Sequence, residues 1–482
     1  RSEFPLSLAI TPYEEHYDFD WHYNTRYHSK EQILCISNAF LDFLNSFDSY
    51  LGSTVRELSL KLMALPVNPD SIKVDISSFF RTIEENFNET EHTIYSALLL
   101  RFQDRVNRIW IYGDKHEYTA TLICAAWISD VEVLTLNEKE TDQFIEHLFE
   151  IKQPDVIFSS AKDSRFDQAV AMNSLLDFHY PSRSYSNKTD VALSICTSGS
   201  TGKPKVVQLS LENMVAFFEA WDQAVPWRQH EVFAVVAHPA FDVGVAELIF
   251  PLWKGWTRVL INKEDISDLD KLNKVFDKVT AFHMVPALLE GWIASKAPDH
   301  LERIIMTGGD KVPQRIERKL HKKFKTSLLF QFYGPSESSV FITGFENKGQ
   351  FNEFQLPLGT RFIHGDVWVI NENDLLTPPF QEGELFVIGN AVGLGYAGEE
   401  SDGKFGNIEG VKTFKTGDLG YRDATKTIFF KGRKDNQIKI NGQRIEVSRI
   451  EYALKEWSGG DRWVVVCKEN FLGAFGILKN DP

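Results

Sequence analysis

The sequence predicts a layered α/β protein, and three observations predict it. Short β-rich runs recur along the chain (RIWIYG, VEVLTL, DVIFSS, VALSICTS, VFAVVAH, TRVLI, TAFHMV, RIIMTGG, LLFQFYG). Strand after strand ends in Gly, Ser, Thr or His and is followed by a stretch with helical apolar spacing, the pattern of βαβ units and a largely parallel sheet. The 482 residues, 43% of them hydrophobic and 25% charged, suffice for two to four domains with buried cores. Ligands are expected at the carboxyl ends of the strands.

Taken in order, Glu31 to Phe102 reads as mainly α, from the apolar spacing in AFLDFLNSF, ISSFFRTIEENF and TIYSALLLRF. RIWIYG and VEVLTL then flank the helical stretch YTATLICAAWI as a βαβ unit. Beyond Phe341 the texture changes: DVWVI, GELFVIG and TIFFKG alternate with period two between turn residues, as in a smaller antiparallel unit. From about Asp435, NQIKINGQRIEVSRIEYALKEW reads as a hairpin followed by a helix.

Composition excludes several function classes. The net charge is −15 and the lysines and arginines are scattered, which disfavours nucleic acid or an anionic membrane as partner. Four cysteines (Cys35, Cys124, Cys196, Cys467) stand far apart with no CxxC pair, which disfavours a zinc site or disulfide framework and makes a reducing, cytoplasmic setting the expectation. No apolar run approaches the roughly 18 residues of a spanning helix, and no signal peptide is evident.

The chemistry concentrates first at SICTSGSTGKPK, residues 194 to 205. Leu193 to Cys196 reads as a buried strand, and Thr197, Ser198, Gly199, Ser200, Thr201, Gly202 and Lys203 as the loop that leaves it. Glycines let backbone amides approach an anion, the hydroxyls add donors, and Lys203 and Lys205 supply positive charge, so phosphate contact is the expectation. A Walker A loop is excluded by spacing: two residues separate Gly199 from Gly202, and Pro204 follows Lys203 where that motif needs Ser or Thr.

TSGSTGKPK resembles the phosphate-loop signature of the acyl-adenylate-forming superfamily, and further motifs follow in family order. Tyr333-Gly334-Pro335-Ser336-Glu337 resembles its YGPTE element, Thr416-Gly417-Asp418 its TGD, and Gly432-Arg433-Lys434-Asp435-Asn436-Gln437-Ile438-Lys439 its GRxDxQIK segment. The resemblance implies a large N-terminal core over residues 1–434, with layered sheets and a β-rich, distorted barrel-like subdomain over about 342–434. It implies a small α+β lid domain beginning at 435–482, with the hinge at Asp435.

The resemblance also implies ATP and Mg²⁺ as cofactors. Thr197 and Lys203 would act catalytically with Glu337, and the loop Thr197 to Lys203 would hold the outer phosphates and the departing pyrophosphate. Glu337 would be the Mg²⁺ ligand, a hard ion that takes one or two carboxylates plus phosphate oxygens. Tyr333 would stack on adenine against the backbone of Gly308 and Gly309, with Gly334 and Ser336 beside it. Asp418 would accept from both ribose hydroxyls and Arg433 would contact the same sugar.

Phe241-Asp242 opens the helix-like stretch FDVGVAELIF. By resemblance, an aspartate there pairs with the α-ammonium group of an amino acid; a buried carboxylate without a cation is costly. The remaining pocket positions are Val243, Ala246, His283, Ile305, Thr307, Phe332, Val340 and Phe341. Two phenylalanines would fill the side-chain space, so a small substrate is expected, glycine first and alanine second. No condensation or carrier-like segment is evident, so the chain is expected to resemble stand-alone amino acid–carrier protein ligases, such as those activating D-alanine for the cell envelope or glycine for lipid A modification. These load a carrier protein's phosphopantetheine thiol.

Three departures from the family pattern stand out. Lys205-Val206-Val207 lacks the usual glycine, and Leu211 stands near the place of a family histidine. Val392-Gly393-Leu394-Gly395-Tyr396 resembles the ARGY element without its arginine. The sequence ends at ILKNDP, ahead of the segment that carries the family's adenylation lysine, and neither Lys479 nor any other residue is assigned that role. Two alternatives stay open: an acyl-CoA or fatty-acyl ligase of the same fold, and a non-catalytic nucleotide-binding relative.

Overall fold

Strands buried on both faces read as near-continuous apolar runs, and two large sheets are built from such runs. The protein is seen in a computed structural model that describes residues 6–12, 17–23, 74–102, 106–160, 165–175, 190–197, 205–349, 356–373, 375–398, 403–408, 410–434, 437–440, 443–458, 462–468 and 471–477. The helices expected between Glu31 and residue 73, the loop residues Ser198 to Lys203, and Asp435 lie outside the described residues.

The first sheet has seven strands in the order Gly395–Tyr396, Lys205–Leu209, Leu193–Thr197, Glu132–Leu136, Arg108–Tyr112, Val156–Ser159, Val170–Ala171. The strands from Leu193–Thr197 to Val170–Ala171 run parallel, as the βαβ pattern requires, while Lys205–Leu209 is antiparallel to both its neighbours. The second also has seven, in the order Thr257–Leu260, Val232–Val235, Ala281–Met284, Ile304–Gly308, Leu328–Tyr333, Thr343–Glu346, Thr360–Arg361, parallel through the first five.

Helices Thr119–Ile128 and Asp242–Trp253 are buried almost all round, as helices enclosed by protein must be. They share one core with the inner faces of both sheets: Ile109, Val133 and Ile195 from the first sheet and Phe233, Ala281, Met306 and Phe332 from the second join Ala126, Ala246 and Phe250. Outer helices cover the opposite faces. Pro286–Ala294 and Gln314–Lys323 pack with Phe282, Met284 and Ile305, and Asp142–Lys152 packs with Trp110 and Leu134. The result is alternating helix and sheet layers.

The β-rich stretch is a five-stranded antiparallel sheet. Its long strand Val411–Arg422 pairs with Gly383–Gly389, Phe405–Ile408 and Ile428–Arg433, and Gly365–Ile370 completes it. The hairpin Gln437–Ile440/Gln443–Glu446 and helix Val447–Ser458 follow, as the sequence predicts, and a second hairpin, Arg462–Lys468/Phe471–Ile477, comes after them. An antiparallel pair also joins Leu6–Pro12 to Tyr17–Tyr23. Among the described residues no helix is long and apolar enough to cross a membrane.

Candidate active site

The glycine-rich loop connects two antiparallel strands. Leu193–Thr197 pairs with Lys205–Leu209, with Thr197 opposite Lys205. The expectation of strand, loop and then helix therefore gains a strand, and helix Leu211–Ala224 begins only after it, capped by Ser210 and Asn213. Thr197 donates from Oγ1 to the Lys205 carbonyl at 3.5 Å. The Lys205 ammonium lies 4.6 Å from the centre of the Tyr396 ring, a cation–π contact. Tyr396 sits in the edge strand beside Val207 and donates its hydroxyl to Glu337 Oε1 at 2.7 Å.

Glu337 lies on the short turn Ser336–Ser338, wholly out of water, and its carbonyl accepts from the Gly393 amide at 2.9 Å. Lys205, Tyr396 and Glu337 thus join the hairpin of the glycine-rich loop to the expected metal carboxylate. A single oriented carboxylate suits Mg²⁺, which takes the rest of its shell from phosphates and water. Among the described residues no cluster of three or more His, Cys, Asp or Glu side chains offers a protein-only metal cage.

The expected nucleotide residues also come together. Tyr333, at the end of strand Leu328–Tyr333, donates its hydroxyl to Asp418 Oδ2 at 2.6 Å. Burial first, and then Asp418, push that hydroxyl well above the usual tyrosine range, so it remains a donor. Arg433 Nη1 donates to Asp418 Oδ1 at 2.7 Å and to the Thr416 carbonyl at 3.1 Å. Each oxygen of Asp418 is already engaged, so a ribose would share the carboxylate's remaining lone pairs with Tyr333 and Arg433.

Gly308 pairs with Phe332 across the sheet, and a Cβ there would meet the Phe332 carbonyl at 2.5 Å; only glycine fits. Gly309 beside it has φ +79°. Gly334 is equally confined, with the Val340 carbonyl 2.2 Å from where a Cβ would lie. Ser336 opens the turn that carries Glu337.

Period-two alternation divides the expected amino-acid pocket. Ala246, Phe332, Val340 and Phe341 belong to the core between the sheets, and the half-buried Val243 packs against it. Asp242 is 8% exposed at the start of its helix, where its Oδ1 accepts from the Val243 amide at 2.7 Å. Phe332 and Phe341 stack 4.9 Å apart. His283 shares the face of Ala281, and its ring lies 5.4 Å from Phe341. Ile305 does not join them. It packs with Phe282 and Met284 on the outer face, because neighbouring residues on a strand point to opposite sides. Thr307 falls in register beside Met284, on that same outer side.

Sequence reasoning missed three contributors. Glu247 is fully buried, accepts from the amides of Val236 (2.6 Å) and Ala237 (2.8 Å), and brings Oε1 to 3.3 Å from His283 Nδ1. A lone acid inside the otherwise apolar run VGVAELIFPLW was the available signal. Tyr396 was marked only for the arginine missing before it. Trp221, whose ring lies 6.0 Å from Phe341, carried no signal beyond hydrophobicity.

Comparison with known proteins follows this geometry. Residues 104–397 match the family described as "AMP-binding enzyme". The D-alanine–D-alanyl carrier protein ligase of Bacillus licheniformis is 30% identical over 274 residues, covering 54% of each chain. Gramicidin S synthase 2 of Brevibacillus brevis is 31% identical over 291 residues, 58% of this chain and 6% of that protein. The chain thus spans about half the length of the carrier protein ligase and a small part of the synthase. The Vibrio cholerae adenylation domain AlmE, solved with glycyl-adenosine-5'-phosphate, shares the fold at TM-score 0.70 with 18% identity, covering 83% of this chain and 88% of that one.

Proposed function

The chain belongs to the AMP-binding enzyme family, and from that membership we infer that it activates a small amino acid with ATP, releases pyrophosphate, and passes the acyl group to a carrier protein's phosphopantetheine thiol. Glycine is the first substrate and alanine the second. The observation that carries the amino-acid reading is Asp242, a carboxylate 8% exposed on a helix otherwise buried in the core. An ammonium group is the partner that such a carboxylate favours. The stacked Phe332 and Phe341 support a short side chain, since filled space rejects added methylenes.

In this reading two anions meet, the substrate carboxylate and the α-phosphate, so orientation and positive charge dominate catalysis. The hairpin Leu193–Thr197/Lys205–Leu209 presents the glycine-rich loop, with Thr197 and Lys203 as its reacting-end groups. Tyr333, Asp418 and Arg433 form a hydrogen-bonded set for the adenosine, with Gly308 and Gly309 leaving room beside it. Glu337, oriented by Tyr396, would hold Mg²⁺, which supplies charge neutralisation at the phosphates. Asp435 is the proposed hinge between the core over 1–434 and the lid that follows.

The test is ATP–pyrophosphate exchange over a panel of acids. Exchange with glycine or alanine, abolished by Asp242→Ala, is expected. Signal only with fatty acids and CoA would assign the chain to acyl-CoA ligases, and silence with every acid would leave a nucleotide-binding relative without catalysis.

A further inference from the structure

We propose that Glu384 is a positioning residue for the nucleotide: its carboxylate holds the Gly417 amide and so sets the turn from which Asp418 meets the ribose. The proposal deepens the nucleotide reading of Asp418 above and rests on it.

The sheet gives way at this point. Strand Gly383–Gly389 pairs with Val411–Arg422 so that Glu384 lies opposite Leu419 and Phe386 opposite Lys415. Leu385 alone therefore faces three residues, Thr416, Gly417 and Asp418. The surplus residues form a bulge, which takes backbone groups out of the ladder and re-aims a side chain. Gly417 makes the turn with φ +77°, a torsion that favours glycine.

Neighbours catch the polar groups that the bulge displaces. Thr416 Oγ1 donates to the Leu385 carbonyl at 2.7 Å and accepts from the Asp418 amide at 2.9 Å. The Thr416 carbonyl accepts from Arg433, and the Gly417 carbonyl accepts from the Lys434 amide at 2.8 Å. The amide of the buried Gly417 donates to Glu384 Oε1 at 3.1 Å. Without that acceptor a buried N–H would be left unsatisfied, and the turn would have to move to find another.

The other oxygen of Glu384 faces Lys434 Nζ at 3.3 Å. Lys434 is 67% exposed, so that ion pair contributes little. The bond from a backbone N–H to a carboxylate is of the stronger kind, and it lies one residue from Asp418. Both oxygens of Asp418 are already aligned with Tyr333 and Arg433, and a sugar must use the lone pairs that remain. Small displacements of such an oriented contact cost binding steeply.

Binding of ATP and of 2′-deoxyATP, measured by calorimetry without turnover, separates positioning from support. The wild type should favour ATP about tenfold, the effect of one hydrogen bond to a charged group. Glu384→Ala should weaken ATP about tenfold and bring the two nucleotides near parity. Glu384→Gln keeps an acceptor for the Gly417 amide and should bind ATP within about threefold of the wild type. Lys434→Met should bind as the wild type does.

An ATP preference that persists in Glu384→Ala overturns the proposal. So does a Glu384→Gln or Lys434→Met protein as weak as Glu384→Ala. A lower melting temperature with both nucleotides bound as before is the mark of a purely structural Glu384 and overturns it too. Should Glu384→Ala not fold, Glu384→Leu keeps the bulk, lacks the acceptor and must lose the same preference. Asp418→Ala tests the ribose reading separately. If the wild type has no ATP preference, or Asp418→Ala retains it, the assignment of Asp418 fails and the proposal with it. If the preference vanishes in Asp418→Ala and survives in Glu384→Ala, the positioning role alone fails.

Discussion

Of the carboxylates shut away from water, two, one against each large sheet, are held in opposite ways. Glu132, in the first sheet, meets Lys152 Nζ at 2.7 Å, Arg108 Nε at 2.7 Å and Ser194 Oγ at 2.5 Å. Burial draws the Lys152 ammonium below its usual range while Glu132 pulls it back up. Glu247, against the second sheet, meets no cation of that kind. It accepts from two amides, its Oε1 lies 3.3 Å from His283 Nδ1, and neither that oxygen nor His283 Nε2 has a hydrogen-bond partner among the described residues. The first cluster closes on itself and spends its charge on architecture. The second leaves Glu247 Oε1 and His283 Nε2 without hydrogen-bond partners among the described residues, and buried polar groups left open call for an explanation that a closed cluster does not.

The largest expected effect tests the closed cluster. Glu132→Leu strands Lys152 and Arg108 and should cost about 3–5 kcal/mol in denaturant unfolding, with the amino-acid KM of the folded protein unchanged. A shift in that KM would break the contrast between the two carboxylates.

Next comes the first residue of the helix that carries Glu247. Asp242→Asn removes a charge while keeping shape, and kcat/KM for the amino acid should fall about a hundredfold, roughly 2.7 kcal/mol, with the melting temperature held. A fall in stability instead would move Asp242 to the architectural side.

A smaller effect is expected at Tyr396→Phe. The loss of its hydroxyl from Glu337 should raise the Mg²⁺ concentration for half-maximal exchange about threefold to tenfold, the range for one hydrogen bond to a charged group. Unaltered Mg²⁺ dependence would deny Tyr396 its orienting role.

The smallest effect appears only in acid. His364 is wholly buried among Phe217 and Phe362, neither ring nitrogen has a hydrogen-bond partner, and burial pushes its pKa from 6.5 to about 3. Between those values the unfolded chain binds a proton that the folded chain refuses, so stability falls as pH drops from about 6.5 toward 3. His364→Phe should leave the melting temperature at pH 7 nearly unaltered and flatten its decline by pH 5. An undiminished decline would assign the acid sensitivity elsewhere.

Much of this was legible beforehand where local pattern and tertiary role coincide. Most of the apolar runs read as strands are buried, among them Glu132–Leu136, Ala281–Met284 and Ile304–Gly308, and the YGPSE and TGD segments meet in the hydrogen bond from Tyr333 to Asp418. Legibility failed where partners come from distant sequence. The strand Lys205–Leu209 is five residues with lysine at its head, and its ladders with Leu193–Thr197 and Gly395–Tyr396 make it a strand. Ile305 was grouped with His283, although strand parity turns them to opposite faces. Glu247 lies beside a histidine 36 positions away (283 − 247), a relation that no spacing rule encodes.

The backbone at Ser339 and Val340 has a practical corollary for anyone redesigning substrate choice. Both residues hold left-handed torsions, φ +56° and +72°, a conformation that a β-branched side chain resists at about 1–3 kcal/mol. A library that samples position 340 freely will therefore be sorted first by torsional tolerance: glycine and asparagine will be enriched for ease of folding, whatever they do to selectivity. Screens should score thermal tolerance alongside turnover at that codon, or relaxed backbones will masquerade as improved catalysts.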